Sequence, residues 1–404
     1  MRKFGKKFQN ASFSVSAFMK PVNYEIFRAI KSYLVKLQMG VVQTDSFILD
    51  DIFSYSEPGI FTLPSIVGFD VFDNVMFGNS ALLGVVRFKE ERYLISCASF
   101  DDRGGKVYAL FISGEITGDF RPQELSEIML KEAVLNSGYS GKILRIFYDD
   151  YSQRVSFKIL PNPEITLNDI YMKDKTELED FISAVKNAKE GLRYLFVGEP
   201  GTGKTDTIRA LISECKTVNE GLTVFILDAG CGVSLETLFE YAEIFRPVLV
   251  CIDDIDLIVG SREGLHRRDE LSTALQALDG FITKEDTFLI ATTNDRYLVD
   301  HALRRPGRFD LIIEFESLNP DFYYPLVLRE TGDEVLAQIF KNGDVMKKLS
   351  TLKVTGAFIV TMVKYLGRER FKDIRYEPET VIKVIDRLYS AFKKEVKTKE
   401  LMGF

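Results

Sequence analysis

Arg193-Tyr194-Leu195-Phe196-Val197-Gly198-Glu199-Pro200-Gly201-Thr202-Gly203-Lys204-Thr205 is a short apolar strand that runs into a glycine-rich loop ending in Lys-Thr. Gly198 and Gly203 bracket four residues ahead of Lys204 and Thr205. At that spacing successive backbone N–H groups curl around a phosphate chain, and a helix N-terminus faces it. Gly201 and Gly203 admit positive φ and close approach to phosphate oxygens, Lys204 reaches the β- and γ-phosphates, and Thr205 offers a hydroxyl to Mg²⁺. Glu199, Pro200 and Thr202 complete the loop, and Asp206 follows in the first turn of a helical run marked by Ile208, Leu211 and Ile212. The alternative, a glycine-rich turn with no ligand, does not explain a strand before the loop and a helix after it.

Downstream, Pro247-Val248-Leu249-Val250-Cys251-Ile252-Asp253-Asp254 is a buried apolar strand ending in two carboxylates. Two acids at a strand end can simply solvate a turn. Beside a phosphate loop they acquire roles: Asp253 holds the water shell of Mg²⁺, and Asp254 orients or deprotonates the attacking water. A further strand, Leu289-Ile290-Ala291-Thr292-Thr293, ends in Asn294, an amide placed to touch the γ-phosphate or the lytic water. Strand signals recur at 194–197, 222–228, 248–253, 288–292 and 311–315 with helices between them, which predicts a parallel, doubly covered sheet of five strands. From Asn319 onward amphipathic helices dominate and predict a helical lid.

The first 160 residues read differently. Strand candidates at 80–88, 92–99 and 106–113 are separated by turn-like Lys89-Glu90-Glu91 and by Asp101-Asp102-Arg103-Gly104-Gly105. A helix is predicted over 122–135, and strands return at 142–148 and 154–160, giving an α+β domain. Pro161-Asn162-Pro163 interrupts both strand and helix and marks the boundary. The expected organisation is an N-terminal α+β domain over 1–160, an α/β core over 161–317 and a helical lid with tail over 318–404.

With 46% hydrophobic and 27% charged residues, the composition is that of a globular protein. The net charge of -7 argues against a general nucleic-acid binder. The four cysteines, at 97, 215, 231 and 251, form no CxxC pair, and buried reduced thiols in a cytoplasmic protein are expected. His266 and His301, the two histidines of the chain, cannot by themselves build a zinc site and are expected to be structural or solvent-facing. No apolar run reaches the roughly 18 residues a membrane helix needs, so no membrane partner is expected. The basic start, Met1 to Phe8, lacks the apolar stretch of a signal peptide.

The phosphate loop, the acidic strand, Thr292-Thr293-Asn294 and Leu303-Arg304-Arg305-Pro306-Gly307-Arg308-Phe309-Asp310 together resemble the AAA ATPases of the AAA+ superfamily, over about residues 165 to 395. The resemblance implies a P-loop NTPase using ATP and Mg²⁺, with Asn294 as a first sensor. It makes Arg305 and Arg308 arginine fingers that reach a neighbouring subunit's nucleotide, so the partner is self, in a ring of six or seven. An always-ionised guanidinium suits charge on a transferring phosphoryl group; an exposed basic turn or nucleic-acid patch is the alternative. Thr355-Gly356-Ala357 falls where AAA lids place a Gly-Ala pair beside the adenine and ribose. Most relatives carry Glu in place of Asp254, and a carboxylate one methylene shorter implies slow hydrolysis.

The aromatic-aliphatic-glycine loop of protein-threading AAA enzymes has no counterpart between Asp228 and Pro247. Leu235, Leu238, Phe239, Ala242 and Phe245 instead fall at helical spacing and predict core, with Tyr241 the aromatic least committed to the apolar face. That shortened segment, Asp254, Ala277-Leu278-Asp279-Gly280 and the Thr-Thr-Asn strand are similar to Bcs-type AAA proteins, without their membrane helix. The expected function is a ring-forming Mg-ATP hydrolase that remodels or translocates a protein partner. A nucleic-acid motor or loader, kept open by Arg262, Arg267 and Arg268, and a slowly hydrolysing nucleotide-switched scaffold are the rivals.

Overall fold

The computed structural model describes residues 15–55, 59–60, 76–77, 81–89, 91–102, 105–115, 121–150, 154–187, 191–260, 278, 285–294, 308–368, 374 and 376–402. In chain order these form β1 (Val15–Val22), α1 (Tyr24–Gln38), β2 (Ile48–Tyr55), β3 (Gly59–Ile60), β4 (Met76–Phe77), β5 (Ala81–Phe88), β6 (Glu91–Asp102), β7 (Gly105–Glu115), α2 (Pro122–Leu135), β8 (Ile143–Asp149) and β9 (Arg154–Leu160). There follow α3 (Thr176–Asn187), β10 (Arg193–Gly198), α4 (Lys204–Val218), β11 (Thr223–Leu227), α5 (Leu235–Ile244), β12 (Val248–Ile252), α6 (Ile255–Gly260), β13 (Thr287–Thr293) and β14 (Leu311–Phe315). The chain continues as α7 (Tyr323–Thr331), α8 (Glu334–Ile339), α9 (Gly343–Leu352), α10 (Gly356–Leu366) and α11 (Pro378–Met402). Among the described residues no helix is long and apolar enough to cross a membrane.

The chain divides into two compact units. One is Met1–Leu160 with Gly221–Phe225 and Cys231–Val248; the other is Pro161–Glu220 with Ile226–Gly230 and Leu249–Phe404. The first unit holds an antiparallel sheet in the order β1-β7-β6-β5-β2. Helix α1 begins at Asn23, whose side chain accepts from the Ile26 N–H at 3.0 Å, a regular N-cap. Its apolar stripe Ile26, Phe27, Ile30, Tyr33 and Leu34 is buried and the helix packs on α2, β6 and β7. Proline in the first turn starts α2, and Leu125, Met129, Leu130 and Ala133 line its buried face. Glu132 ties the unit together, accepting from Thr44 Oγ1 at 2.9 Å and from the Tyr33 and Ser46 hydroxyls.

Helix α5 lies in this same unit. Ser234 caps it by accepting from the Thr237 N–H at 3.2 Å. Leu235, Leu238, Phe239, Tyr241 and Ala242 are buried along it, with Phe245 just beyond its end. The helical spacing is therefore core, as read from the sequence, but Tyr241 departs from that reading. It is 0% exposed, with its ring 4.8 Å from Phe157 in an edge-on contact. Because Phe157 sits on β9, the heptad-like count along α5 alone could not reveal the ring it would meet.

A seven-stranded sheet runs in the order β14-β10-β13-β12-β11-β8-β9. β8, β9 and the first half of β11 fall in the first unit. Five parallel strands were expected. The two additional strands are β8 and β9, an antiparallel hairpin whose approach to β11 is visible in the Val224 N–H donating to the Lys142 carbonyl at 2.9 Å. Nothing in the alternation of a strand says which sheet it joins. In the second unit β10 pairs in parallel with both β13 and β14. Strands β12 and β13 are buried at every position, which explains their unbroken apolar runs. Helices α7 to α11 share a separate core that includes Tyr323, Leu326, Val327, Phe340, Leu349, Ile359, Met362 and Ile385.

Candidate nucleotide site

Strand β10 ends at Gly198, opposite Phe315 on β14. A Cβ on Gly198 would lie 2.3 Å from the Phe315 carbonyl oxygen, so two strands closing on each other require glycine here. The other two loop glycines are needed for their backbone: φ is +82° at Gly201 and +102° at Gly203, a region that side chains with a Cβ rarely enter. Thr202 Oγ1 braces the turn by donating to the Glu199 carbonyl at 2.8 Å. Gly203 then precedes α4, whose first-turn N–H groups and dipole face the loop's concavity.

Lys204 is buried and gives hydrogen bonds to three oxygens: the Gly198 carbonyl at 2.7 Å, the Glu199 carbonyl at 3.1 Å and Asn294 Oδ1 at 2.8 Å. Asn294 passes the connection on, its Nδ2 donating to Asp254 Oδ1 at 2.8 Å. Thr205 Oγ1 donates to the Asp253 carboxylate at 3.0 Å. Asp254 sits at φ +53°, a left-handed conformation that Asp tolerates better than most residues. Burial lowers the pKa of Lys204, opposed by Asp254, Asp253 and Asp256. Burial also raises Asp254 above the usual carboxylate range, helped by Asp253 and Asp256 and opposed by Lys204 and the Asn294 bond. The pair is thus a cation and a carboxylate whose charged forms depend on each other, with Asn294 between them.

These groups open onto a cavity of about 1070 Å³ in the second unit, lined by Pro200 to Thr207, Asp254, Asn294, Gly356 and Ala357 among others. The Ala357 N–H donates to the Gly201 carbonyl at 3.2 Å, so α10 begins against the phosphate loop. Gly198 and Glu199 are not among the lining residues; their carbonyls hold Lys204 from behind. Arg308 is 8% exposed, does not line the cavity of its own chain, and accepts at its carbonyl from Arg193 Nη1 at 3.2 Å. Arg305, His266, His301, Arg262, Arg267 and Arg268 lie outside the described residues.

Thr292 stands in the Thr-Thr-Asn motif without a role of its own, and Asp256, Tyr171 and Arg329 are unmarked in the sequence. Thr292 donates to Asp253 Oδ1 at 2.6 Å and accepts from the Asp254 N–H at 2.8 Å. Asp256 accepts from the Asn294 N–H at 3.3 Å. Both stand beside residues already singled out, and only their contacts were invisible. Tyr171 and Arg329 are different. They line the cavity together, with the guanidinium 4.9 Å above the ring and donating to the Asp169 carbonyl at 2.9 Å. They come from an irregular segment and a helix far apart in sequence, and no local pattern marks either.

The residues fit ATP and Mg²⁺. The space a side chain on Gly203 would fill is open to 4 Å, while one on Gly201 would press on the Ala357 Cβ at 2.7 Å. Thr205 and Asp253 present the hard oxygen donors that Mg²⁺ takes alongside phosphate and water. Among the described residues no cluster of three or more His, Cys, Asp or Glu could hold a metal. Bound there, Mg²⁺ offsets charge on the phosphate oxygens as it develops.

The family "ATPase family associated with various cellular activities (AAA)" matches residues 194–317. The chain is 33% identical over 162 residues to the ATP-dependent zinc metalloprotease FTSH 7, chloroplastic, of Oryza sativa subsp. japonica, covering 35% of the chain and 20% of that protein. It is 34% identical over 195 residues to the ATP-dependent zinc metalloprotease FtsH 1 of Petrotoga mobilis, covering 44% of the chain and 28% of that protein. The ATPase histone chaperone abo1 of Schizosaccharomyces pombe is 32% identical over 162 residues, covering 37% of the chain and 13% of that protein. The chain therefore spans less than a third of the length of each of these relatives. Residues 194–317, which contain the phosphate loop, both strand-end acids and Asn294, are an ATPase domain of the AAA family within the AAA+ superfamily.

Proposed function

We propose that the chain is a subunit of a homo-oligomeric ring, of six or seven copies, that hydrolyses Mg-ATP to remodel or translocate a protein partner. The observation that carries the hydrolytic part is the continuous connection Lys204–Asn294–Asp254 beside the Thr205–Asp253 pair in one cavity. In this reading Lys204 and the loop amides bind the phosphates, Thr205 and Asp253 hold Mg²⁺, Asp254 receives a proton from the attacking water, and Asn294 keeps that carboxylate and the lysine in register. Arg305 and Arg308 act on a neighbour's nucleotide in this reading, which rests on the Arg305-Pro306-Gly307-Arg308-Phe309-Asp310 sequence.

The same ATPase domain occurs in relatives named as proteases and in one named as a histone chaperone, so the domain alone does not choose the partner. The two histidines of this chain do not stand in a His-Glu-x-x-His pattern. The partner reading rests on the -7 charge, which disfavours the nucleic-acid alternative, and on helix α5 occupying the segment where a gripping loop would lie. The ring would then act on a folded partner by changing shape, in a cytoplasmic setting that suits four cysteines outside any disulfide.

Electron microscopy of the ATP-bound chain is expected to show closed rings. Subunits carrying Arg305→Ala and Arg308→Ala, inactive alone, are expected to regain turnover when mixed with Asp254→Asn subunits. Absence of rings, or mixed rings without any recovered turnover, would overturn the trans arrangement. ATPase stimulated by DNA or RNA, with a steep salt dependence, would favour the nucleic-acid motor instead.

A further inference from the structure

Thr292 is fully buried on β13, and its hydroxyl is used in both directions. As a donor it meets Asp253 Oδ1 at 2.6 Å; as an acceptor it takes the Asp254 backbone N–H at 2.8 Å. From these contacts we infer that Thr292 is a positioning residue for the two strand-end acids. One hydroxyl sets the direction of the Asp253 carboxylate and the peptide orientation of Asp254. The inference rests on the proposed nucleotide chemistry and adds a residue to it.

Asp253 has two oxygens and two threonine partners. Thr205 Oγ1 lies 3.0 Å from Oδ2 and 3.3 Å from Oδ1, while Thr292 holds Oδ1 from the strand side. With Oδ1 fixed in this way, Oδ2 is turned toward Thr205, the other oxygen donor expected at Mg²⁺. The second contact acts on a strained point. Asp254 has φ +53°, which an L-residue adopts only where its surroundings hold it. The bond from its N–H to Thr292 is one such constraint; the Asn294 bond to its carboxylate and the Leu257 N–H on its carbonyl at 2.9 Å are others. Serine could make both contacts. Valine, of nearly the same shape, could make neither, and would leave a partly buried carboxylate oxygen and a partly buried N–H without this partner.

The test measures binding of a fluorescent ATP analogue by the full chain, with Mg²⁺ and in EDTA, for wild type, Thr292→Val, Thr292→Ser and Thr292→Ala, alongside thermal unfolding and steady-state kinetics. Wild type and Thr292→Ser are expected to bind more tightly with Mg²⁺ than in EDTA. Folded Thr292→Val is expected to bind as wild type does in EDTA, to lose about tenfold of the gain from Mg²⁺, and to lower kcat more than it changes KM, because a hydrogen bond to a charged group is lost. Should the valine variant not fold, Thr292→Ala removes the same hydroxyl without the branched side chain. In an Asp253→Asn background, removing the hydroxyl is expected to cost no further Mg²⁺ gain. A folded valine or alanine variant with the full Mg²⁺ gain and wild-type kcat would overturn the inference, and so would a serine variant as impaired as valine. Failure of wild type to bind the analogue under any condition would overturn the nucleotide reading itself.

Discussion

Lys204 has a protein oxygen for each of three hydrogen bonds, and one of those oxygens, on Asn294, leads to Asp254. A phosphate arriving at the loop must therefore compete with groups already in place, and it does so with more charge than two carbonyls and an amide. Gly198 supplies one of those carbonyls, yet its lack of a side chain serves β14. Alanine there would press a Cβ into the Phe315 carbonyl at 2.3 Å, and backbone cannot yield as a side-chain tip can. Gly198→Ala is expected to lower stability by about 1–3 kcal/mol, the usual cost of overpacking, seen as a lower urea midpoint. An unchanged midpoint would show that β10 and β14 separate freely. The site was legible in sequence to the extent that its chemistry is local. Gly201, Gly203, Lys204 and Thr205 act within one loop, and the structure brings Asp253, Asp254 and Asn294 to it. What sequence could not show is contact: that Thr292 bridges two acids, that Gly198 is glycine for the sake of Phe315, and that Tyr171 and Arg329 stack in the cavity wall.

At the scale of elements, α5 shows both the reach and the limit of periodicity. Helical spacing identified Leu235, Leu238, Phe239, Ala242 and Phe245 as core, and all are buried. It gave Tyr241 the wrong side, because the ring's partners, Phe157 at 4.8 Å and Phe225 at 6.4 Å, come from β9 and β11. The Tyr241 hydroxyl is buried with no hydrogen-bond partner among the described residues, and burial drives its pKa well above the ordinary phenol value. Tyr241→Phe, which removes the unsatisfied oxygen and keeps the ring, is expected to be neutral or stabilising by up to about 1 kcal/mol. Tyr241→Ala is expected to cost about 3–5 kcal/mol through the cavity it leaves. Chemical denaturation of both variants distinguishes these; a destabilised phenylalanine variant would mean the hydroxyl has a partner after all. The alanine variant consequently reports on folding and not on any grip on a substrate. The strands β8 and β9 teach the same lesson in the sheet: their residues were recognised, and their neighbours were not.

Across the whole molecule, burial sorts the four cysteines. Cys97, Cys215 and Cys251 are buried, and Cys231 is partly exposed. Loss of hydration disfavours the thiolate, raising Cys97 and Cys215 to about 12 and Cys251 well above its ordinary value. At pH 8 these three thiols are almost wholly protonated, so alkylation of the folded chain is expected to label Cys231 first, with the others following only on unfolding. Equal labelling of all four, read by mass spectrometry of peptides, would contradict the burial pattern.

The chemistry of the second unit is tested most directly by phosphate release from Mg-ATP, measured with ATP binding for wild type, Lys204→Ala and Asp254→Asn. Wild type is expected to bind and turn over, and folded Lys204→Ala to lose tight binding. Asp254→Asn is expected to bind nearly as wild type does while releasing phosphate on the order of 10² or more slower, the usual cost of deleting a general base. A folded, ATP-bound Asp254→Asn chain that releases phosphate at the wild-type rate would contradict the account.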